Sequence, residues 1–292
     1  MKKVIILLAL LLLLTGCSPA QTTAQVVATT RPVYDFTSRL CENTDLSVSL
    51  LVTQSVSCLH DYTLQVQQMR AVESCQLLVL SGGGLEEFLE DILPSAKTIC
   101  DASVGIPLIC GEEAHPAHEH ASATHHHVTD PHIWLAPANA KIMAANIYQT
   151  LSDQFPAYRA VFTENLQQLL ADLDTLAQYG QTQLAGLQNN QLLTFHDGFS
   201  YFADAFHLSI LRSVEEEAGS EASAADLIEL INLVQEYNIP AIFTEAQGSV
   251  SAASIIAAET GAKVFTLDMS MGDKDYFSAM YHNIDTIREA LG

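Results

Sequence analysis

The chain has 292 residues, of which 49% are hydrophobic, enough for two lobes of ordinary domain size. Its 34 acidic residues outweigh 12 lysines and arginines and give a formal charge of −22. That balance argues against nucleic acid, whose phosphates demand a cationic surface, and is compatible with a cationic ligand or with simple solubility.

Lys2 and Lys3 precede an apolar run over residues 4–14, followed by Leu14-Thr15-Gly16-Cys17. A spanning helix needs about 20 apolar residues, so residues 1–16 read as a signal peptide. The Leu-Thr-Gly-Cys ending resembles a bacterial lipobox, which implies cleavage before Cys17 and lipidation of its thiol. Loss of Lys2 and Lys3 would take the formal charge from −22 to −24. Residues 17–25 then read as a flexible tether, and the expected location is the extracytoplasmic side of the cell membrane. Cys41, Cys58, Cys75, Cys100 and Cys110 remain, an odd number without a CxxC spacing, so at least one thiol is unpaired.

The first lobe is expected over residues 26–156. Strands are predicted from Gln25 to Ala28, Leu46 to Val52, Leu77 to Leu80 and Thr98 to Cys100. Helical segments follow Pro32, end near Ser74, run from Leu85 to Leu93 before Pro94, and run from Asn139 to Gln154. Strands alternating with helices predict α/β lobes with parallel sheets covered on both faces. Residues 111–127 interrupt the pattern with Glu112, Glu113 and six histidines, and read as a metal-attracting loop. Phe162, Leu166, Leu169, Leu173, Leu176, Gly180, Leu184 and Leu187 then recur at helical spacing. They predict one helix over residues 157–187, about 45 Å long and able to join two lobes rigidly.

Residues 188–292 form the second expected lobe. Strands are predicted from Gln191 to Thr194, Ala241 to Thr244 and Lys263 to Leu267. Helices are predicted from Gly198 to Phe206, Ala224 to Tyr237 (capped by Ser223 with Asp226), Ser251 to Thr260 and Tyr276 to Leu291. Glu215 to Glu221 reads as an acidic loop.

Five histidines lie outside the loop: His60, His132, His196, His207 and His282. His60, His132 and His196 fall beyond strands or at the heads of helices, as do Glu245 and Asp268. In open α/β sheets ligands bind beyond the carboxyl ends of the strands. Imidazole nitrogens with a carboxylate suit a borderline divalent ion, and three histidines with one carboxylate would close a tetrahedral zinc shell. A closed shell leaves no position for activated water, so binding fits better than catalysis. His207, His282 and Trp134 read as structural.

The chain resembles the zinc/manganese solute-binding proteins of ABC importers. The resemblance rests on Pro32-Val33-Tyr34-Asp35-Phe36, Ser81-Gly82-Gly83-Gly84-Leu85-Glu86, Asp130-Pro131-His132-Ile133-Trp134-Leu135 with Pro137 and Asn139, His196-Asp197-Gly198-Phe199 with Tyr201-Phe202, Phe243-Thr244-Glu245, and Glu259-Thr260-Gly261. It implies two α/β lobes joined by a long helix, with metal in the cleft. It also implies His60, His132 and His196 as ligands and a late carboxylate matching Asp268, with Glu245 as the other candidate. A histidine at position 196 favours Zn2+ over Mn2+, because manganese-binding relatives typically carry a carboxylate there. The expected partners are an ABC permease and ATPase, and the expected state is a monomer. Around His60 the sequence departs from the family: the usual prolines and glycine are missing, and Cys58 stands two residues away. Manganese or iron binding, metal storage and adhesion stay open as alternatives. Neither HExxH nor GxSxG occurs, which argues against a zinc hydrolase and against an enzyme.

Overall fold

A computed structural model describes residues 24–54, 59, 62–109, 129–215, 223–246 and 250–292, with the backbone alone for His196, Val214 and Glu215. The signal peptide, Cys17, most of the tether, Cys58, His60, Cys110 and the histidine-rich loop lie outside the described residues. Among the described residues, no helix is long and apolar enough to cross a membrane.

The chain forms two four-stranded parallel sheets. The first contains β1 (Val26–Ala28), β2 (Val48–Leu50), β3 (Leu77–Leu80) and β4 (Ile99–Asp101), in the order β2-β1-β3-β4. The second contains β5 (Gln191–His196), β6 (Ser209–Glu215), β7 (Ala241–Glu245) and β8 (Lys263–Leu267), in the order β6-β5-β7-β8. The two halves therefore share one topology without close sequence similarity. In each sheet the strand order reverses between the first and third strands, which opens a crevice at their carboxyl ends.

β1 and β3 are short, continuous apolar runs because both of their faces are covered. In β3, Leu77 and Val79 enter one core while Leu78 and Leu80 enter another. In β5 and β7, Leu192, Ala241 and Phe243 face the central core, and Leu193, Phe195 and Ile242 face the outer one. Side chains alternate across a strand, so this partition follows from the period of two. The central core runs through both sheets and the helices between them. It includes α1 (Arg31–Leu40), α3 (Pro137–Gln154), α4 (Arg159–Gln183) and α8 (Tyr276–Leu291).

α4 falls where a helix over residues 157–187 is expected, and it is shorter than that range. A 3-10 turn at Pro156–Tyr158 precedes it, and the chain turns after Leu184 through Gly186, whose φ is +78°. Its apolar stripe is as expected: Phe162, Leu169, Leu173, Leu176 and Gly180 are buried. Asn165 Nδ2 donates to the carbonyls of Leu40 and Glu42 at 2.9 Å, tying α4 to the first lobe. Nearer its other end, Tyr179 Oη donates to Asp285 Oδ1 at 2.7 Å and holds α8.

Two expectations fail. No α-helix spans residues 85–93; the segment is a pair of 3-10 turns, Glu87–Leu89 and Leu93–Ser95. The preceding Gly82, Gly83 and Gly84 all have positive φ, and the Glu86 carboxylate reaches back to accept N–H groups from Ser81 and Gly82 at 2.7 and 3.0 Å. That tight turn takes up the residue that would begin a helix, and Pro94 closes the other end. Gly82 is required here, because a Cβ would fall 2.0 Å from Asp101 Oδ1. The second is β6, a strand over Ser209–Glu215 where no strand is expected and where Glu215 is expected to open an acidic loop. The remaining elements are α2 (Val66–Ser74), α5 (Ser200–Ala205), α6 (Ala224–Glu236) and α7 (Ser251–Thr260). α6 begins on the expected Ser223–Asp226 capping box.

Candidate metal centre

His132 caps a 3-10 turn, Ile133–Leu135, that leads into α3, and its side chain is buried. Asp130 holds it in two ways. Asp130 Oδ1 accepts the His132 backbone N–H at 2.9 Å and lies 2.8 Å from ring Nδ1. A carboxylate on one ring nitrogen fixes the ring and favours a proton on Nδ1, which makes Nε2 the acceptor nitrogen of the ring. From sequence, Asp130 appears only as part of the Asp-Pro-His motif, whose two-residue spacing is the one signal of this contact. The other Asp130 oxygen is buried and has no hydrogen-bond partner among the described residues. Tyr201 Oη, from the second lobe, donates to the Asp130 carbonyl at 3.0 Å and accepts the Ile109 N–H at 2.9 Å.

Asp268 directly follows β8 and is buried. Asn283 of α8 brackets its backbone: the Asp268 N–H donates to Asn283 Oδ1 and Asn283 Nδ2 donates to the Asp268 carbonyl, both at 2.8 Å. Ser270, in a left-handed conformation at φ +60°, turns the chain so that its N–H donates to Asp268 Oδ1 at 2.8 Å. The second oxygen, Oδ2, faces Lys274 Nζ at 3.4 Å.

The two regions are joined through Trp134. Its fully buried indole Nε1 donates to the Met269 carbonyl at 2.9 Å, and its own carbonyl accepts Tyr276 Oη at 2.9 Å. Trp134 also packs edge-on to the His132 ring, with centroids 5.4 Å apart. The packing role expected for Trp134 is present, and its hydrogen bond across the lobes is an addition.

His196 is the last residue of β5, and Glu245 the last of β7. Thr194 pairs with Phe243, so β5 and β7 are neighbours at the switch point of the second sheet, and each ends two residues further on, at 196 and 245. Glu245 is buried and pairs in register with Leu267, one residue before Asp268. The carboxyl edge of this sheet therefore carries His196 and Glu245 at the ends of β5 and β7, and Asp268 directly after β8. Among the described residues no group of three or more His, Cys, Asp or Glu side chains converges as a metal shell. Of the expected ligand set, His132 and Asp268 have described side chains, His196 is placed by its backbone, and His60 lies outside the described residues.

His207 adopts φ +57° in the turn before β6, and His282 lies 3.2 Å from the Thr266 carbonyl. Cys41, Cys75 and Cys100 are free and buried, and burial raises all three thiols, to about 12 for Cys41 and about 11 for Cys100. Buried neutral thiols of this kind are inert.

Paired parallel sheets, a long connecting helix and a histidine–carboxylate edge define a two-lobe α/β solute-binding protein. The family described as "ZnuA: Zinc-uptake complex component A periplasmic" matches residues 26–290, and the chain belongs to it. The chain is 28% identical over 283 residues to the high-affinity zinc uptake system protein ZnuA of Bacillus subtilis, covering 91% of this chain and 87% of that one. It is 28% identical to the zinc-binding lipoprotein AdcA of Streptococcus pneumoniae (strain R6), covering 99% of this chain but only 61% of AdcA. A crystal structure of ZnuA superposes with a TM-score of 0.80 at 29% identity, over 91% of this chain and 98% of that one.

Proposed function

We propose that this chain captures Zn2+ outside the cytoplasm and delivers it to an ABC importer, anchored to the membrane through lipidated Cys17. Zinc is cargo in this reading, held by His60, His132 and His196 with Asp268 as the carboxylate. Asp268 is preferred to Glu245 because its backbone is fixed by Asn283 and its turn is joined to the His132 turn through Trp134. The observation that carries the proposal is the buried His132 ring held on Nδ1 by Asp130, which suits metal ligation through Nε2. The resemblance of the AdcA and ZnuA relatives supports zinc as the ion.

The lobe boundaries are residues 26–156 and 188–292, with the helix between them as a strut. The partners are a permease and an ATPase, and the chain acts as a monomer without catalysis. The histidine-rich loop at residues 111–127 serves as an auxiliary zinc collector. The test is competition between Zn2+ and Mn2+ for the purified mature protein, paired with growth of a deletion strain under zinc limitation. Preferential Zn2+ binding and a growth defect repaired by added zinc are expected. Preference for Mn2+, or unimpaired growth, would contradict the proposal.

A further inference from the structure

We infer that Lys274 is a built-in competitor for the incoming metal: it neutralises the Asp268 carboxylate in the metal-free protein and is displaced when Zn2+ enters. This rests on the proposed ligand role of Asp268. Asp268 Oδ1 is engaged by the Ser270 N–H, so Oδ2 is the oxygen better placed to meet a cation. Lys274 Nζ already stands 3.4 Å from Oδ2. A zinc ion bound to that oxygen would sit about 2 Å from it, and two cations would then contest one atom.

The burial of the pair is asymmetric in the way an exchange requires. The Asp268 side chain is 7% exposed and the Lys274 side chain 47% exposed. Leaving a buried carboxylate without a counter-charge is costly, whereas a half-exposed ammonium can swing into water and recover its hydration.

The backbone also suits a side-chain exchange. Next to Lys274, the Asp273 carbonyl accepts Arg31 Nη1 at 3.2 Å. Two residues beyond it, the Tyr276 N–H donates to Asp35 Oδ2 at 2.7 Å. Arg31 and Asp35 are themselves paired at 2.8 Å on α1 of the first lobe. The chain is held on both sides of Lys274, so the ammonium can leave and return while its Cα stays within reach of Asp268. A returning ammonium would also favour release, because it takes over the carboxylate as zinc departs.

The test compares the native chain with Lys274→Met and Lys274→Arg. Zn2+ affinity is measured against a chromophoric chelator, and the release rate by mixing with excess EDTA. Lys274→Met should bind Zn2+ about three- to tenfold more tightly and release it more slowly by a similar factor, from the worth of a part-buried ion pair. Lys274→Arg should stay within about twofold of the native chain, since it keeps the charge. Metal-free unfolding supplies a second readout. Lys274→Met should destabilise the native background but have no effect in an Asp268→Asn background, as expected if Lys274 acts through Asp268. Unchanged or weaker Zn2+ binding by Lys274→Met, or an equal effect in both backgrounds, would overturn the inference while leaving the zinc site intact. A native chain that binds no Zn2+ would overturn both.

Discussion

At Glu86, burial and hydrogen bonding act in opposite directions. Burial pushes its carboxyl up to about 7, although Thr29 Oγ1 and the N–H groups of Ser81 and Gly82 favour the anion. An acid raised on folding stabilises the fold fully below its unfolded value near 4.5, and that contribution is lost as pH rises through about 7. The span corresponds to about 3 kcal/mol. Glu86→Gln should therefore gain about 3 kcal/mol relative to the native chain between pH 4.5 and 8 in urea unfolding of the metal-free protein. A pH-independent difference would contradict this assignment. Asp130 makes a different kind of contribution, because it acts through His132 without being one of the proposed ligands. Asp130→Asn should weaken Zn2+ binding by about 10- to 100-fold with the fold intact by circular dichroism. Unchanged affinity would remove Asp130 from the site.

Among the elements, the long helix α4 shows how packing decides a residue that propensity would reject. Gly180 lies in its interior, where alanine is intrinsically better by about 1 kcal/mol. A Cβ there would fall 2.2 Å from Phe206 Cε1. Phe206 is buried against Phe202, with ring centroids 4.7 Å apart, and has little room to yield. Gly180→Ala should therefore lower stability by about 1–2 kcal/mol despite the helix-propensity gain, measured by chemical denaturation. A stabilised variant would show that the ring moves freely. The apolar stripe of α4 could be read from the sequence because one face repeats over many turns. Residues 85–93 could not, because the helix there is lost to contacts made by the Glu86 side chain with a glycine turn upstream. β6 was hidden for a related reason: it is an edge strand ending in an acidic residue, Glu215, and its pairing with β5 is a long-range choice. The candidate histidines and Asp268 were visible as residue types beyond strands. Asp130 and Lys274 were not, since their contacts depend on distances within turns.

The whole molecule is two sheets of one topology sharing a continuous core, with the cleft edge cross-linked by Trp134, Tyr276 and Tyr201. These bonds place the turns bearing His132 and Asp268 in a fixed relation. Trp134→Phe keeps the ring but leaves the Met269 carbonyl without its partner. It should cost about 1–2 kcal/mol in thermal or urea unfolding and weaken Zn2+ binding severalfold. Loss of stability with unchanged affinity would show that the cross-link serves the fold alone. The acidic surface adds long-range attraction for a cation, which high salt should screen from the association rate.

In the proposed site one Zn2+ is held by His60, His132 and His196 with a late carboxylate. The most direct measurement is the zinc content of the purified mature protein beside His60→Ala, His132→Ala and His196→Ala, after dialysis against a weak chelator. One tightly held zinc in the native chain, lost or greatly weakened in each variant, is the predicted result. Stoichiometric zinc retained in all three variants would contradict it.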